Sequence, residues 1–218
     1  MSKCKQIIGV VLAGFLIFSG CTAAPSPDTE PTTPDRLSEH DLVCLEYSTF
    51  SGAYPEDGTG RQVQDVAAML VRNDSDKFLD YAMIQCDIGN GSGNFKVTGL
   101  PAGASVWVLE QDGKTVGAEE TFKVSDCKDY AFRTDAILDT DLLDVQSNGD
   151  TVTVTNISNK TLENICIYYK TVFSDGNFFG GITYMLAFDS LGPDQSAQKQ
   201  TSHFGEDSQI VRYSFQTA

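Results

Sequence analysis

Downstream of residue 40 the hydrophobic positions recur mostly with period two, in short runs broken by polar turns, and helical periodicity is weak. Alternation of this kind places one row of side chains on a buried face, so each run predicts a half-buried strand. In the first half the runs are Val43-Leu45-Tyr47, Ala82-Ile84-Cys86-Ile88, Phe95-Val97, Val106-Val108 and Phe122-Val124. In the second they are Val152-Val154, Ile165-Ile167-Tyr169, Ile182-Tyr184-Leu186-Phe188 and Val211-Tyr213-Phe215. Asn148-Gly149 predicts a tight hairpin, because both residues tolerate positive φ, and Asp112-Gly113 and Asp175-Gly176 predict two further turns.

The chain also resembles itself. Val71 to Ile84 aligns with Val154 to Ile167, so that Asn73, Ser75, Lys77 and Leu79 fall on Asn156, Ser158, Lys160 and Leu162. Further on, Leu100-Pro101 and Leu191-Gly192-Pro193 occupy comparable places. Each copy reads as strand, polar turn, strand, and a pair of such copies implies a duplicated β unit. The expected fold is therefore all-β, with two tandem immunoglobulin-like β-sandwich domains, over residues 41–133 and 134–218. The stretch Thr151 to Ile165, followed by Phe173-Ser174-Asp175-Gly176 and Leu191-Gly192-Pro193, resembles the FxLYD-type immunoglobulin-like modules of bacterial lipoproteins. The resemblance implies the sandwich fold and transfers no catalytic residue.

The first 40 residues follow a different pattern. Lys3 and Lys5 precede an uncharged apolar run from Ile7 to Phe18, shorter than the roughly 20 residues of a membrane span, and small residues follow it. This is the layout of a signal peptide over 1–20. Phe18-Ser19-Gly20-Cys21 resembles the lipobox of bacterial lipoproteins, which implies lipid attachment at Cys21 and a chain held on the extracytoplasmic face of the membrane. Residues 21–40 hold four prolines among Ser, Thr and acidic residues, a composition with nothing to bury, and are expected to form a disordered tether.

Charge and residue inventory then narrow the chemistry. With 15 basic against 30 acidic residues, nucleic acid is not an expected partner, since phosphate backbones reward Lys and Arg. Only His40 and His203 are available for acid–base work, and no G-x-S-x-G elbow accompanies His203, so no catalytic residue is assigned and no enzyme is expected. Asp139, Asp141 and Asp144, like Glu206 and Asp207, lack the spacing of a calcium loop, no C-x-x-C occurs, and no metal or other cofactor is expected. Outside Cys4 and Cys21 there are four cysteines. Cys44 and Cys127, in the first and last strands of the first copy, form the candidate disulfide, which would close a loop worth about 4 to 5 kcal/mol, whereas Cys86 shares the parity of Ile84 and reads as buried. Trp107 and Tyr168 are out of phase with their apolar neighbours and are expected on outer sheet faces; with Tyr184 they are the candidate ligand-binding residues. The expected function is a non-enzymatic protein-interaction, adhesion or scaffold lipoprotein. The alternative is a small-ligand or glycan-binding accessory to a transporter or envelope enzyme, favoured by a cleft lined with Trp107 or Tyr184.

Overall fold

The computed structural model describes residues 35–37, 41–89, 91–117 and 121–218; the leader, Cys21, most of the tether and His40 lie outside the described residues. Every regular element described is a strand. The first repeat comprises β1 (Asp35–Arg36), β2 (Leu42–Ala53), β3 (Gln62–Asn73), β4 (Phe78–Ile88), β5 (Gly91–Leu100), β6 (Ser105–Leu109) and β7 (Phe122–Arg133). The second comprises β8 (Leu143–Asn148), β9 (Thr151–Asn156), β10 (Leu162–Val172), β11 (Phe178–Phe188), β12 (Ser196–Gln200) and β13 (Ser208–Thr217).

The two repeats have one topology. In the first, β2-β3-β6 faces β5-β4-β7; in the second, β8-β9-β12 faces β11-β10-β13. They share a sheet, because the edge strand β6 pairs in parallel with the edge strand β11 through Val106↔Phe178 and Trp107↔Phe179. A seven-stranded sheet β1-β2-β3-β6-β11-β10-β13 results, with one three-stranded sheet for each repeat.

Alternation along β10 shows where those smaller sheets lie. Ile165, Ile167 and Tyr169 enter the second core with Val152, Val154 and Leu186, whereas Tyr168 and Val172 pack on the first core with Phe178 and Val211. Neighbours on a strand point to opposite faces, so the two cores occupy opposite faces of the shared sheet. A third apolar cluster lies on the outer face of the first repeat, where the β2–β3 loop folds back. There Tyr54 is buried, its hydroxyl donating to Glu110 O at 2.5 Å, and it packs with Val66, Ala68 and Leu109. This cover explains why Val66 to Val71 of β3 are buried on both faces.

Among the register shifts of these sheets, those in β2 and β13 redirect core side chains. In β2 a register shift between Cys44 and Glu46 lets Leu42, Cys44 and Tyr47 share the core face, in place of the expected Val43-Leu45-Tyr47 row. In β13 the shift opposite Tyr168 and Tyr169 sends Val211 to the first core and Ile210, Tyr213 and Phe215 to the second. The β8–β9 turn falls one residue later than Asn148-Gly149: Asn148 pairs with Thr151, and Gly149 and Asp150 make the loop, with φ +62° at Gly149. Glycine at the first loop position matches a type II′ hairpin.

The repeated Asn-x-Ser-x-Lys segment builds the same hydrogen-bond plug twice. Asn73 Nδ2 donates to Lys77 O (2.8 Å) and Leu100 O (3.0 Å), and its Oδ1 accepts from Ser75 N (3.1 Å) and Oγ (2.7 Å). Asn156 Nδ2 donates to Lys160 O (2.7 Å) and Leu191 O (2.8 Å), and its Oδ1 accepts from Ser158 N (2.9 Å) and Oγ (2.7 Å). Both asparagines are fully buried, and each ties the turn after its strand to a distant segment of its repeat.

Candidate functional site: the seam between the repeats

The parallel contact between β6 and β11 is two residues long, and a carboxylate takes over one rung further along. Glu56, on the β2–β3 loop, accepts from Leu109 N (2.8 Å) on β6 and from Gly181 N (2.9 Å) on β11, so it joins the strands where the ladder stops. Lys170 lies fully buried in β10 and donates to Gly180 O (3.1 Å), Gly181 O (3.3 Å) and Ile182 O (2.7 Å). The Gly181 peptide therefore donates to an acid and accepts from an amine. Burial pulls the Lys170 ammonium down to about 7, opposed by attraction to Glu56. Burial also raises Glu56, opposed by the Leu109 and Gly181 N–H groups and by Lys170. Each charge is disfavoured by desolvation and supported by the other, the usual balance of a buried pair.

The backbone here admits only glycine. A Cβ on Gly181 would stand 1.8 Å from Lys96 O and 2.8 Å from Val108 Cγ2, and Gly180 has φ +85°. From the facing sheet, Thr98 Oγ1 donates to Gly181 O at 2.9 Å, and Thr183 Oγ1 donates to Thr98 O at 2.8 Å.

Over this seam the third cluster opens into a pocket of about 220 Å³. Phe50 of β2, Trp107 of β6, Phe179 of β11 and Phe173 of the β10–β11 turn form its walls, above Ala68 and Leu109. Phe179 packs against Phe50 at 5.0 Å and against Phe173 at 4.8 Å between ring centroids. Asp175 stands at the rim: Trp107 Nε1 donates to its Oδ2 at 2.8 Å and Asn177 N to its Oδ1 at 2.9 Å. The Asn177 side chain foremost, then the Trp107 indole, hold its carboxyl below the usual carboxylate range. Aromatic groups from both repeats thus converge beside one ionised carboxylate.

The candidate residues fall in different places. Trp107 lies on the opposite face of β6 from the buried Val106 and Val108 and lines the pocket. Tyr168 is elsewhere, packed on the first core with the Arg212 guanidinium 3.9 Å over its ring. Tyr184 stacks between Tyr169 (5.4 Å) and His203 (5.0 Å) beside the second core, away from Trp107. His203 is engaged through its backbone, N to Thr201 Oγ1 (3.3 Å) and O from Ser208 Oγ (3.4 Å). Of the expected Cys44–Cys127 pair, Cys44 belongs to the shared sheet, its Sγ 3.5 Å from Glu46 O, and Cys127 faces Ile84 across β4 and β7. Among the described residues no group of three or more His, Cys, Asp or Glu side chains could hold a metal ion.

Glu56, Lys170, Asp175 as an acceptor and the wall residues Phe50, Phe173 and Phe179 are absent from the sequence-based candidates. One signal for them was available: Gly180-Gly181 inside a strand otherwise rich in apolar residues marks a close approach of another chain segment. Compared with protein-family models and with curated protein sequences, the chain matches none.

Proposed function

We propose that this chain is a bacterial lipoprotein, held by lipid on Cys21 at the extracytoplasmic face of the membrane, that works by binding rather than catalysis as a protein-interaction or scaffold module. The observation that carries the reading is the aromatic pocket at the seam. Its volume of about 220 Å³ is below the roughly 300 to 1,000 Å³ of sites that enclose a whole small molecule. It is instead the size of a recess for one large side chain, the kind of anchor on which protein interfaces concentrate their energy. Size therefore favours a protein partner over the small-ligand alternative, even though Trp107 lines the opening. The Phe18-Ser19-Gly20-Cys21 segment and the proline-rich tether support the location.

The test is a photo-crosslinking amino acid placed in the full-length chain in intact envelopes. At Phe173, 41% exposed on the rim, it should give a discrete adduct; at Ile157, 52% exposed in a remote turn, it should give none. Adducts alike at both positions, or none at Phe173, would rule the reading out. For the anchor, Cys21→Ala should move the protein from the detergent phase to the aqueous phase.

A further inference from the structure

We propose that the pocket receives an arginine side chain presented by an extended segment of a protein partner. The inference rests on the binding reading above and names the chemistry of the occupant. A purely apolar anchor would use the rings but desolvate the carboxylate at the rim without compensating its charge. Asp175 accepts from Trp107 Nε1 and Asn177 N and is further supported by the Asn177 side chain, so it stands ionised at the rim. Its negative charge faces the aromatic walls, which suits a cationic side chain with donors at its edge, as in a guanidinium.

The walls fit the same group. Trp107 presents the best ring for a cation, with the phenyl rings of Phe50, Phe173 and Phe179 around it. A guanidinium is planar and weakly hydrated, so it can lie flat on an indole while its edge reaches a carboxylate; an ammonium is a strongly hydrated point charge and gives up more on entry. None of the side chains lining the pocket is basic, so no resident cation competes. The chain as a whole carries a formal charge of −15, which speeds the approach of a basic segment and repels an acidic one.

Trp107 is the only tryptophan, so its emission and its indole N–H resonance report on the pocket alone. The full-length protein in detergent micelles is titrated with acetyl-Gly-Arg-Gly-amide and with the same peptide carrying lysine, leucine or citrulline, the neutral isostere of arginine. The arginine peptide should shift both signals saturably, with the citrulline and lysine peptides at least tenfold weaker. Asp175→Asn, an exposed change that keeps the Trp107 acceptor, should abolish the tenfold preference over citrulline. If citrulline, lysine or leucine matches arginine, the arginine assignment falls and the pocket stands as a general side-chain acceptor. If no peptide moves either signal, the assignment and the pocket-binding reading fall together.

Discussion

Asn73 and Asn156 are polar residues with no exposure whose hydrogen-bonding groups are all engaged, and that is why they can sit beneath the turns they organise. Asn156→Ala would leave Ser158 N without its acceptor and remove one of two donors from Lys160 O and from Leu191 O; it should cost about 1 to 3 kcal/mol of unfolding free energy in urea. Asn159→Ala, three residues on and exposed, should stay within about 0.5 kcal/mol; equal costs would mean that the plug does not matter. In sequence Asn73, Asn90, Asn156 and Asn159 all begin the same short N-x-Ser/Thr pattern and all suit turns. Only the internal repeat separates Asn73 and Asn156 from the other two, because it aligns that pair and neither Asn90 nor Asn159. Lys170 was not legible in the same way: a lysine in an alternating strand normally faces water, and its burial depends on three carbonyls of a neighbouring strand that bulges. Gly181→Ala should prevent stable folding, since its methyl group would meet the Lys96 carbonyl, which is backbone and cannot turn aside.

Between elements, the decisive contact is the short parallel pairing of β6 with β11 and the carboxylate that extends it. Removing that carboxylate in Glu56→Ala strands two backbone N–H groups and leaves Lys170 without its counter-charge. Amide exchange at Leu109 and Gly181 should accelerate at least tenfold, with Ile84 on β4 unchanged; uniform acceleration would show that Glu56 supports the whole fold rather than the seam. The buried amine adds a pH signature. The folded value for Lys170 is about 7, against 10.5 for an ordinary lysine. Between those values the unfolded chain binds more protons than the folded one, so stability must rise with pH through that window. Below pH 7 the full cost of charging the buried amine is present. Unfolding free energies from urea titrations should climb from pH 7.5 to 9, by about 1.4 kcal/mol per pH unit at most, and Lys170→Met should flatten the climb. Above pH 9 Cys127, pushed up to about 11 by burial, acts with the opposite sign, which sets the upper limit of the comparison. The strands themselves were largely legible from period-two alternation. What alternation missed was phase: the bulges in β2 and β13 add or skip a residue, and a bulge has no hydrophobic signature of its own.

At the scale of the molecule, an all-β architecture and its duplication follow from the sequence, but the shared sheet does not. Its joint is two residue pairs between strands that read as ordinary edges, and the aromatic pocket above it is assembled from β2, β6 and the β10–β11 hairpin. No local pattern could connect Phe50, Trp107 and Phe179. The first core also borrows Phe178 and Val211 from the second repeat. A chain ended at Arg133 should therefore fail to unfold cooperatively, while the full chain should melt in a single calorimetric transition with equal calorimetric and van't Hoff enthalpies. A cooperative fragment, or two resolved transitions, would mean that the repeats are independent.

The same joint sets an order of events during synthesis. β6 leaves the ribosome about 70 residues before the β11 strand that will cover it, several seconds at ordinary elongation rates of roughly 5 to 20 residues per second. For that interval the newborn first repeat carries a bare strand, Ser105 to Leu109, with Trp107 uncovered beside it. Bare strands template pairing with other chains. The growing chain must therefore stay unfolded or be shielded until the second repeat has emerged.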